Sequence, residues 1–542
     1  MTHERSHLFS RSRSIGITRT PPRVRTLASV LALIVLTATF ALPLTSAVML
    51  ASGVSQQDEG LLLVYPVRLL TGAIPNVDFL SVYGLASLLP IAGAFKLFGA
   101  SVAAERMVGL IYHLLLTGGL VCLAWRWRGP VPAIAAGVIC NVIAVTLGPV
   151  AYAWVGGVAL AAVGILLTDI GVRNGIRRRW CVGAGISFGL ALAYRIDLGL
   201  AIIIMVALIC ATQRAAWRPV IGGCVMGMSP LLVNLVLAGP SAVISGQITG
   251  PIFVSGPGRF LPFQDLDIHH QTLALLCVIV AVGLIALGGR ETITTRMSWT
   301  ATRILVLGVL CAGALPEAFQ RADAFHVDSV AVLVLPAGVI VVTGIFRGTG
   351  SVTRIIRPAA ILVFGVALIL TGLPEMQNYE TAIRPTLTGA STPTWNVTNL
   401  GRTAPVYASD EQMLLEHALT IVDAHAQAGM HVFVGPQDLR RTVFGDTYLY
   451  FLMPQLIPSS FYLEMEPGIA NGTNSRLGSD LAHSDILVLT SAYDNFFEPN
   501  ASSLFGSDVP NTVVKNDFVE VGSSGPWNIY VRATPHGVGG AT

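Results

Sequence analysis

Charge is what this chain has least of. Asp, Glu, Lys and Arg together make up 12% of 542 residues, about half of the roughly 25% typical of soluble domains. So few charges cannot solvate the surface of a chain this long, and a soluble globule is excluded. Lysine is nearly missing: Lys96 and Lys515 are the only two, and arginine supplies the other cationic side chains. Cysteine stops at Cys311, so everything after it is built without disulfides. All seven cysteines lie in apolar stretches without metal-ligand spacing and read as small hydrophobes. No Walker, Gly-x-Gly-x-x-Gly or Ser-His-Asp pattern stands out, so a soluble nucleotide cofactor has no motif here. The formal charge of +3 gives no reason to expect nucleic acid as a partner.

Apolar residues fill the space that charge leaves, at 53% of the chain and a mean hydropathy of +0.68. A helix that crosses a bilayer needs about 20 mostly apolar residues. Candidate spans are 27–50, 103–125, 131–148, 149–168, 180–194, 198–212, 219–238, 270–288, 304–319, 329–346 and 358–374. Residues 1–26 read as a disordered basic tail.

Arginines orient these spans, because short Arg-rich loops stay cytoplasmic. The clusters Arg5–Arg25, Arg126/Arg128, Arg173–Arg179, Arg214/Arg218, Arg290–Arg303 and Arg347–Arg357 all fall on one side with this assignment. Keeping Arg177–Arg179 and Arg214 together requires a hairpin of two short helices that turns near Arg195-Ile196-Asp197. Keeping Arg126 with them places 83–98 along the outer interface. The outer side then holds 51–102, 239–269, 320–328 and everything after 375.

Hydropathy falls beyond Glu375. A helix is expected over 409–428 with Ser409-Asp410 as its cap. Strands are expected at 431–434, 460–463 and 486–490, helices at 448–453 and 479–483, and a closing hairpin at 518–521 and 528–532. Alternation of this kind predicts a small α/β domain. The fold class expected is mainly α: a polytopic bundle of about eleven transmembrane helices over 27–374, with a C-terminal extracytoplasmic α/β domain over 375–542.

Chemistry is expected on the outer side. Gln57-Asp58-Glu59-Gly60 puts two carboxylates where the first span leaves the membrane, where an interfacial base would be shielded from bulk water. Arg68, Arg195, Arg259 and Arg321 lie on the outer side against the charge bias. Tyr194-Arg195-Ile196-Asp197 reads either as a structural ion pair or as a phosphate-binding arginine. Arg321-Ala322-Asp323-Ala324-Phe325-His326 gathers three ionisable groups, and Asp323 meets His326 only if that stretch is helical. Gly256-Pro257-Gly258-Arg259 reads as a mobile loop that could carry Arg259 to a phosphate.

The order after the first span is an acidic pair, a helix bearing Arg68, Gly72-Ala73-Ile74-Pro75-Asn76-Val77-Asp78-Phe79, Tyr83-Gly84, then Leu97-Phe98-Gly99 and Glu105-Arg106. It resembles the first outer loop of the GT-C class of membrane glycosyltransferases, which includes the protein O-mannosyltransferases and the lipid A aminoarabinose transferase. Asp438-Leu439-Arg440-Arg441 and Phe461–Gly468 resemble the soluble tails of some actinobacterial members. The resemblance implies a GT-C-like bundle in a bacterial plasma membrane, with the N-terminus cytoplasmic. It also implies an inverting glycosyltransferase that moves a monosaccharide from a polyprenyl-phosphate donor to an extracytoplasmic glycan, lipid or protein.

By that match Asp58, with Glu59, is catalytic. Arg68, Arg195, Arg259, Arg321 and His326 bind the donor phosphate, and Asp78, Tyr83, Asp197 and Asp323 support them. Many relatives carry a second carboxylate in the turn after the third span. Here Leu147–Tyr152 has none, so no metal ligands or cofactor are assigned, and a need for divalent metal stays open. Two alternatives stand beside this one: an O-antigen-ligase-like or polymerase-like glycan transferase centred on Arg321 and His326, and a non-enzymatic lipid or polysaccharide transporter.

Overall fold

The structure is a computed structural model that describes residues 22–533, apart from 174, 296–297, 346–364, 366–371, 373 and 391–392. Residues 1–21 of the basic tail, the Arg347–Arg357 cluster and most of the expected span 358–374 lie outside the described residues, whereas 22–26, expected as the end of that tail, begin a helix. In chain order the helical part runs α1 (Pro22–Leu44), α2 (Ala47–Leu50), α3 (Asp58–Leu70), α4 (Leu85–Phe98), α5 (Val102–Arg128), α6 (Pro130–Leu147), α7 (Ala153–Val172), α8 (Arg178–Tyr194) and α9 (Gly199–Thr212). It continues with α10 (Trp217–Gly227), α11 (Ser229–Ala238), α12 (Pro240–Ile244), a π-helical stretch Ser245–Val254, α13 (Gly256–Arg259), α14 (Ile268–Thr294), α15 (Trp299–Gln320), α16 (Ala324–Ile345) and α17 (374–388).

Six of the described helices, α5, α6, α7, α14, α15 and α16, are long and apolar enough to cross a bilayer, and eight spans result if each of two bent pairs counts as one. That is fewer than the roughly eleven expected from apolar runs. Breaks divide the middle of the chain into shorter pieces. α8 has 17 residues, at the lower limit for crossing. The expected hairpin is present: α8 ends at Tyr194, a 3-10 turn spans Ile196–Leu198, and α9 starts at Gly199.

Small residues let α8 and α10 approach closely. A Cβ at Gly185 would stand 2.1 Å from the Val220 carbonyl oxygen, and one at Gly223 would stand 2.2 Å from that of Val182. Membrane helices associate in this way, since lipid gives no hydrophobic reward for burying larger side chains. Polar contacts add to it: Asn141 on α6 donates to Thr39 on α1 and accepts from Thr117 on α5.

Arginine clusters gather at one end. Asp169, fully buried at the end of α7, accepts from Arg126 at 2.7 Å and from the Trp299 indole at 3.1 Å, with Arg303 at 3.7 Å. Arg106, Arg195 and Arg321 lie at the other end, so the two ends of the bundle are chemically distinct. Cys122 is exposed on α5 instead of buried, and all seven cysteines are unpaired.

The C-terminal region is an α/β unit. Its elements are β1 (Trp395–Asn399), β2 (Arg402–Val406), α18 (Ser409–His425), β3 (His431–Pro436), α19 (Tyr448–Leu452), β4 (Ile457–Pro458), α20 (Leu477–Ala482), β5 (Ile486–Thr490), α21 (Val509–Asp517), β6 (Phe518–Ser524) and β7 (Trp527–Arg532). A five-stranded sheet runs β4-β3-β5-β7-β6. β4, β3 and β5 are parallel, and the β6–β7 hairpin is antiparallel. β5, Ile-Leu-Val-Leu-Thr, is buried throughout, as a central strand covered on both faces must be.

Two expectations fail locally. Residues 460–463 form no strand, because the Phe461 N–H donates to Asp480 and its carbonyl accepts from Leu80. Ser409 does not cap α18. Glu411 instead reaches back to accept the Tyr407 N–H at 2.9 Å. The β1–β2 hairpin and α21 had no expectation at all.

This unit docks on the first outer loop. The Val54 N–H donates to the Pro405 carbonyl, the Tyr448 N–H to Gln56, and the Leu80 N–H to Phe461. A Cβ at Gly60 would meet the Tyr448 backbone nitrogen at 2.6 Å. α3 is therefore sandwiched between bundle and outer domain, with Glu59–Pro66 buried, and does not lie open along an interface.

Candidate functional site

Arg106 organises the start of α3. Its Nε and Nη2 grip the two oxygens of Glu59 at 2.7 and 2.9 Å, and its Nη1 donates to the carbonyls of Met49, Leu50 and Ser52. Glu59 also accepts the Ser55 N–H. Both partners of this pair are about 1% exposed, so Glu59 is committed to holding the loop. Its neighbour Asp58 projects elsewhere, because successive helix residues are rotated by about 100°. Asp58 is exposed and has no side-chain hydrogen bond to any described residue. It occupies the first turn of a 13-residue helix, where the helix dipole favours an anion.

Around Asp58 stand His326, Arg259 and Arg321, in decreasing order of electrostatic effect, with Asp323 behind them. Although the Asp58 side chain opens to solvent in the cleft, the protein crowded around it strips part of its hydration and raises the carboxyl above its ordinary pKa, and His326, Arg259 and Arg321 pull it partly back. A carboxyl kept basic and free of partners is suited to taking a proton.

α16 supplies His326. Asp323 caps that helix, accepting the His326 N–H at 2.9 Å and the ring Nδ1–H at 2.7 Å. The Asp323–His326 pair is thus on one helical turn, and the Nε2 atom is left for the cleft. Arg321 is heavily engaged: Glu498 takes Nη2 at 2.5 Å and Nη1 at 3.1 Å, Asp323 takes Nε, and the Arg259 carbonyl takes Nη1. Its bonds tie the outer domain, α13 and α16 together. Arg259 is freer. Among the described residues only its Nη1 has a partner, Glu466 at 2.8 Å. Burial first, then the neighbouring Glu466, holds the Glu464 carboxyl well above the carboxylate range.

Arg195, at the hairpin tip, pairs with Asp197 at 2.5 Å and Glu317 at 2.9 Å and stacks over the Trp154 ring at 5.0 Å. Tyr83 bridges the groups, lying within electrostatic reach of Glu464, Asp58, Arg259 and Arg195. Tyr152 stands near Asp58 and packs edge-on against Phe325.

Asp58, Tyr83, Arg195, Arg259, Arg321, Asp323 and His326 thus converge, although they come from five separate segments. Arg68 does not join them. It lies ten residues along α3, about 15 Å away at 1.5 Å per residue, beside Asp78 and Tyr450. Asp78 accepts the Ile74 N–H at 2.7 Å and closes its own turn. Most of residues 240–259 is a run of short helices, within the stretch 239–269 where a mobile loop was expected.

Sequence reading missed Glu317, Glu466 and Glu498, the counter-charges of the arginines. Glu317 had a signal, since an acid within an apolar span is functional by default. Glu498 had none. The acid-free turn after α6 is also explained: Glu105 from α5 accepts the Ala151 N–H at 2.6 Å and occupies that corner.

No protein-family model matches the chain, and neither does any curated protein. Solved structures do resemble it. ArnT from Cupriavidus metallidurans bound to undecaprenyl phosphate superposes with a TM-score of 0.52 and 13% identity, over 94% of this chain and 98% of that one. The same protein in its apo state gives 0.50 and 12%, over 93% and 97%. The Archaeoglobus fulgidus oligosaccharyltransferase in complex with Zn and sulfate gives 0.50 and 11%, over 93% and 73%. At these identities the likeness establishes the fold: this chain is a multi-pass membrane protein with the GT-C-like architecture of these transferases.

Proposed function

We propose that the chain is an inverting glycosyltransferase that takes a monosaccharide from a polyprenyl-phosphate donor and gives it to a hydroxyl acceptor outside the membrane. The observation that carries this is Asp58, a free carboxylate with raised basicity facing Arg259, Arg321 and His326. The fold shared with an undecaprenyl-phosphate-bound transferase supports it. Asp58 takes the acceptor hydroxyl proton as that oxygen attacks the anomeric carbon. The bond from that carbon to the phosphate oxygen breaks, and its electron pair leaves with the polyprenyl phosphate. Arg259, with spare donors, binds that phosphate, and Arg195 offers its free Nη1. Arg321 and Glu59 position the cleft. The arginine-rich end of the bundle is cytoplasmic, and the cleft and C-terminal domain are outside a bacterial plasma membrane.

Purified protein with radiolabelled polyprenyl-phosphate sugars and a membrane extract as acceptor tests this reading. Arg259→Ala weakens donor binding by about ten- to a hundredfold, the worth of hydrogen bonds to a charged group at roughly 1.5–3 kcal/mol. Arg68→Ala leaves donor binding unchanged, and equal losses in both would remove Arg259 from the phosphate site.

The pH profile gives a second result. A base works deprotonated, so transfer falls as pH drops through the Asp58 pKa. Because that pKa is raised, the midpoint lies above the ordinary aspartate value of about 3.9. A midpoint at or below that value contradicts the assignment.

Orientation is checked by labelling. Cysteines replacing Ser409 react with an impermeant thiol reagent in intact cells, and those replacing Ser298 react only after permeabilisation. The reverse pattern would put the cleft inside.

A further inference from the structure

Away from the Asp58 cleft, the outer end of α14 carries Asp267-Ile268-His269-His270. Asp267 caps the helix, with Oδ1 accepting the N–H groups of His269 and His270 at 3.0 and 3.1 Å. Its Oδ2 takes the His270 ring Nδ1–H at 2.6 Å. That bond fixes the tautomer and leaves a lone pair on Nε2, the arrangement that outer carboxylates impose on metal-binding histidines. The Nε2 atom points at Asp328 Oδ1 across 3.8 Å, too far for a hydrogen bond, with an acceptor on each side of the gap.

The second imidazole, His269, brings its Nε2 to 2.8 Å from Glu375 Oε1. Ligand atoms of His269, His270 and Glu375 all lie within 4.8 Å of one another. Glu375 is 2% exposed and Asp328 4%, yet Glu375 Oε2 and Asp328 Oδ1 have no hydrogen-bond partner. No lysine or arginine among the described residues pairs with Asp267, Asp328 or Glu375. Two buried, partly unbonded carboxylates without a cation are costly, and a divalent ion between them and the two imidazoles removes that cost.

We infer that His269, His270 and Glu375 form a structural site for a divalent metal ion of the zinc class, with Asp328 beside it. Two neutral imidazoles and a carboxylate are a donor set that zinc accepts. Ligand atoms around such an ion stand about 3.3 Å apart, from bond lengths near 2.0–2.1 Å. The three ligand atoms here stand from 2.8 Å to at most 4.8 Å apart, so binding moves them by up to about 1.5 Å from the roughly 3.3 Å spacing. The fourth position falls to Asp328, whose Oδ1 is 3.8 Å from His270 Nε2, or to water.

Its effect is mechanical. Glu375 begins α17, the segment that leads out to the C-terminal domain, while His269 and His270 open α14 and Asp328 lies in the first turns of α16. The ion pins the exit of the outer domain to the bundle. It is separate from the proposed reaction: Asp328 is two residues from His326, about 200° around α16, and neither it nor the three ligands is among the charges named as acting on Asp58.

The full chain, stripped with EDTA in detergent and dialysed against micromolar zinc, tests the site by elemental analysis after gel filtration. One zinc per chain is expected. His269→Ala combined with Glu375→Gln loses it, Asp58→Asn keeps it, and Asp267→Asn weakens it by about ten- to a hundredfold. A readout that needs no variant is cobalt(II) in the wild type, where a four-coordinate site yields intense visible absorption bands. Stripped wild type that takes up no zinc and develops no cobalt bands overturns the inference, as does zinc retained by the folded double variant.

Discussion

Asp58→Asn abolishes most sugar transfer, by about 10²–10⁴-fold, the usual contribution of a positioned base, while the protein inserts and folds as before. The fold survives because Asp58 is exposed and bonded to no described side chain or backbone group. Removing its charge from the first turn of α3 forfeits a helix-dipole interaction of about 0.3–1 kcal/mol, well short of what would unfold the loop. Donor binding survives too, since the proposed phosphate ligand is Arg259 and not Asp58. Transfer of radiolabelled sugar under saturating donor reads the effect as a loss of turnover. Full transfer by this variant, with activity lost only in Arg321→Ala and His326→Ala, selects the ligase-like alternative. A wild type inert toward every donor leaves the transporter standing.

Arg106→Ala destabilises the protein by about 3–5 kcal/mol, the range for removing one partner of a buried ion pair. It strands Glu59 without its counter-charge and frees the carbonyls of Met49, Leu50 and Ser52 from their shared donor. Residues 49–60 then lose their anchor, and Asp58 loses its position along with them. Hydrogen exchange shows faster opening across that loop, and the melting temperature falls. Arg106→Lys restores charge but not the two-pronged grip, so it recovers only part of the loss. Glu59→Gln keeps the shape and one hydrogen bond and falls between the two. A melting temperature unchanged in Arg106→Ala would mean that Glu59 is held by something other than this pair.

Much of this was legible in the chain itself, for reasons of solvation. Twelve per cent charge admits only a membrane protein. The siding of arginines required a hairpin at Arg195–Asp197, and the hairpin is there. An acid pair at the exit of the first span marked the candidate site, because charge at that depth has to be accommodated. Roles within the site were not legible. Asp58 and Glu59 are adjacent and chemically alike, and only Arg106 on α5, 47 residues on, decides that one is buried in a salt bridge and the other stands free. Arg68 and Arg259 look equivalent as outer arginines. The rise of α3 carries the first away from the cleft, and a short helix after the π-helical stretch brings the second in. The carboxylates that temper the arginines, Glu317, Glu466 and Glu498, come from α15 and the outer domain. His269 and Glu375 are 106 residues apart. Local pattern records which residues must avoid lipid or seek water. Which charges meet depends on how distant helices pack, and that was decided only in the tertiary structure.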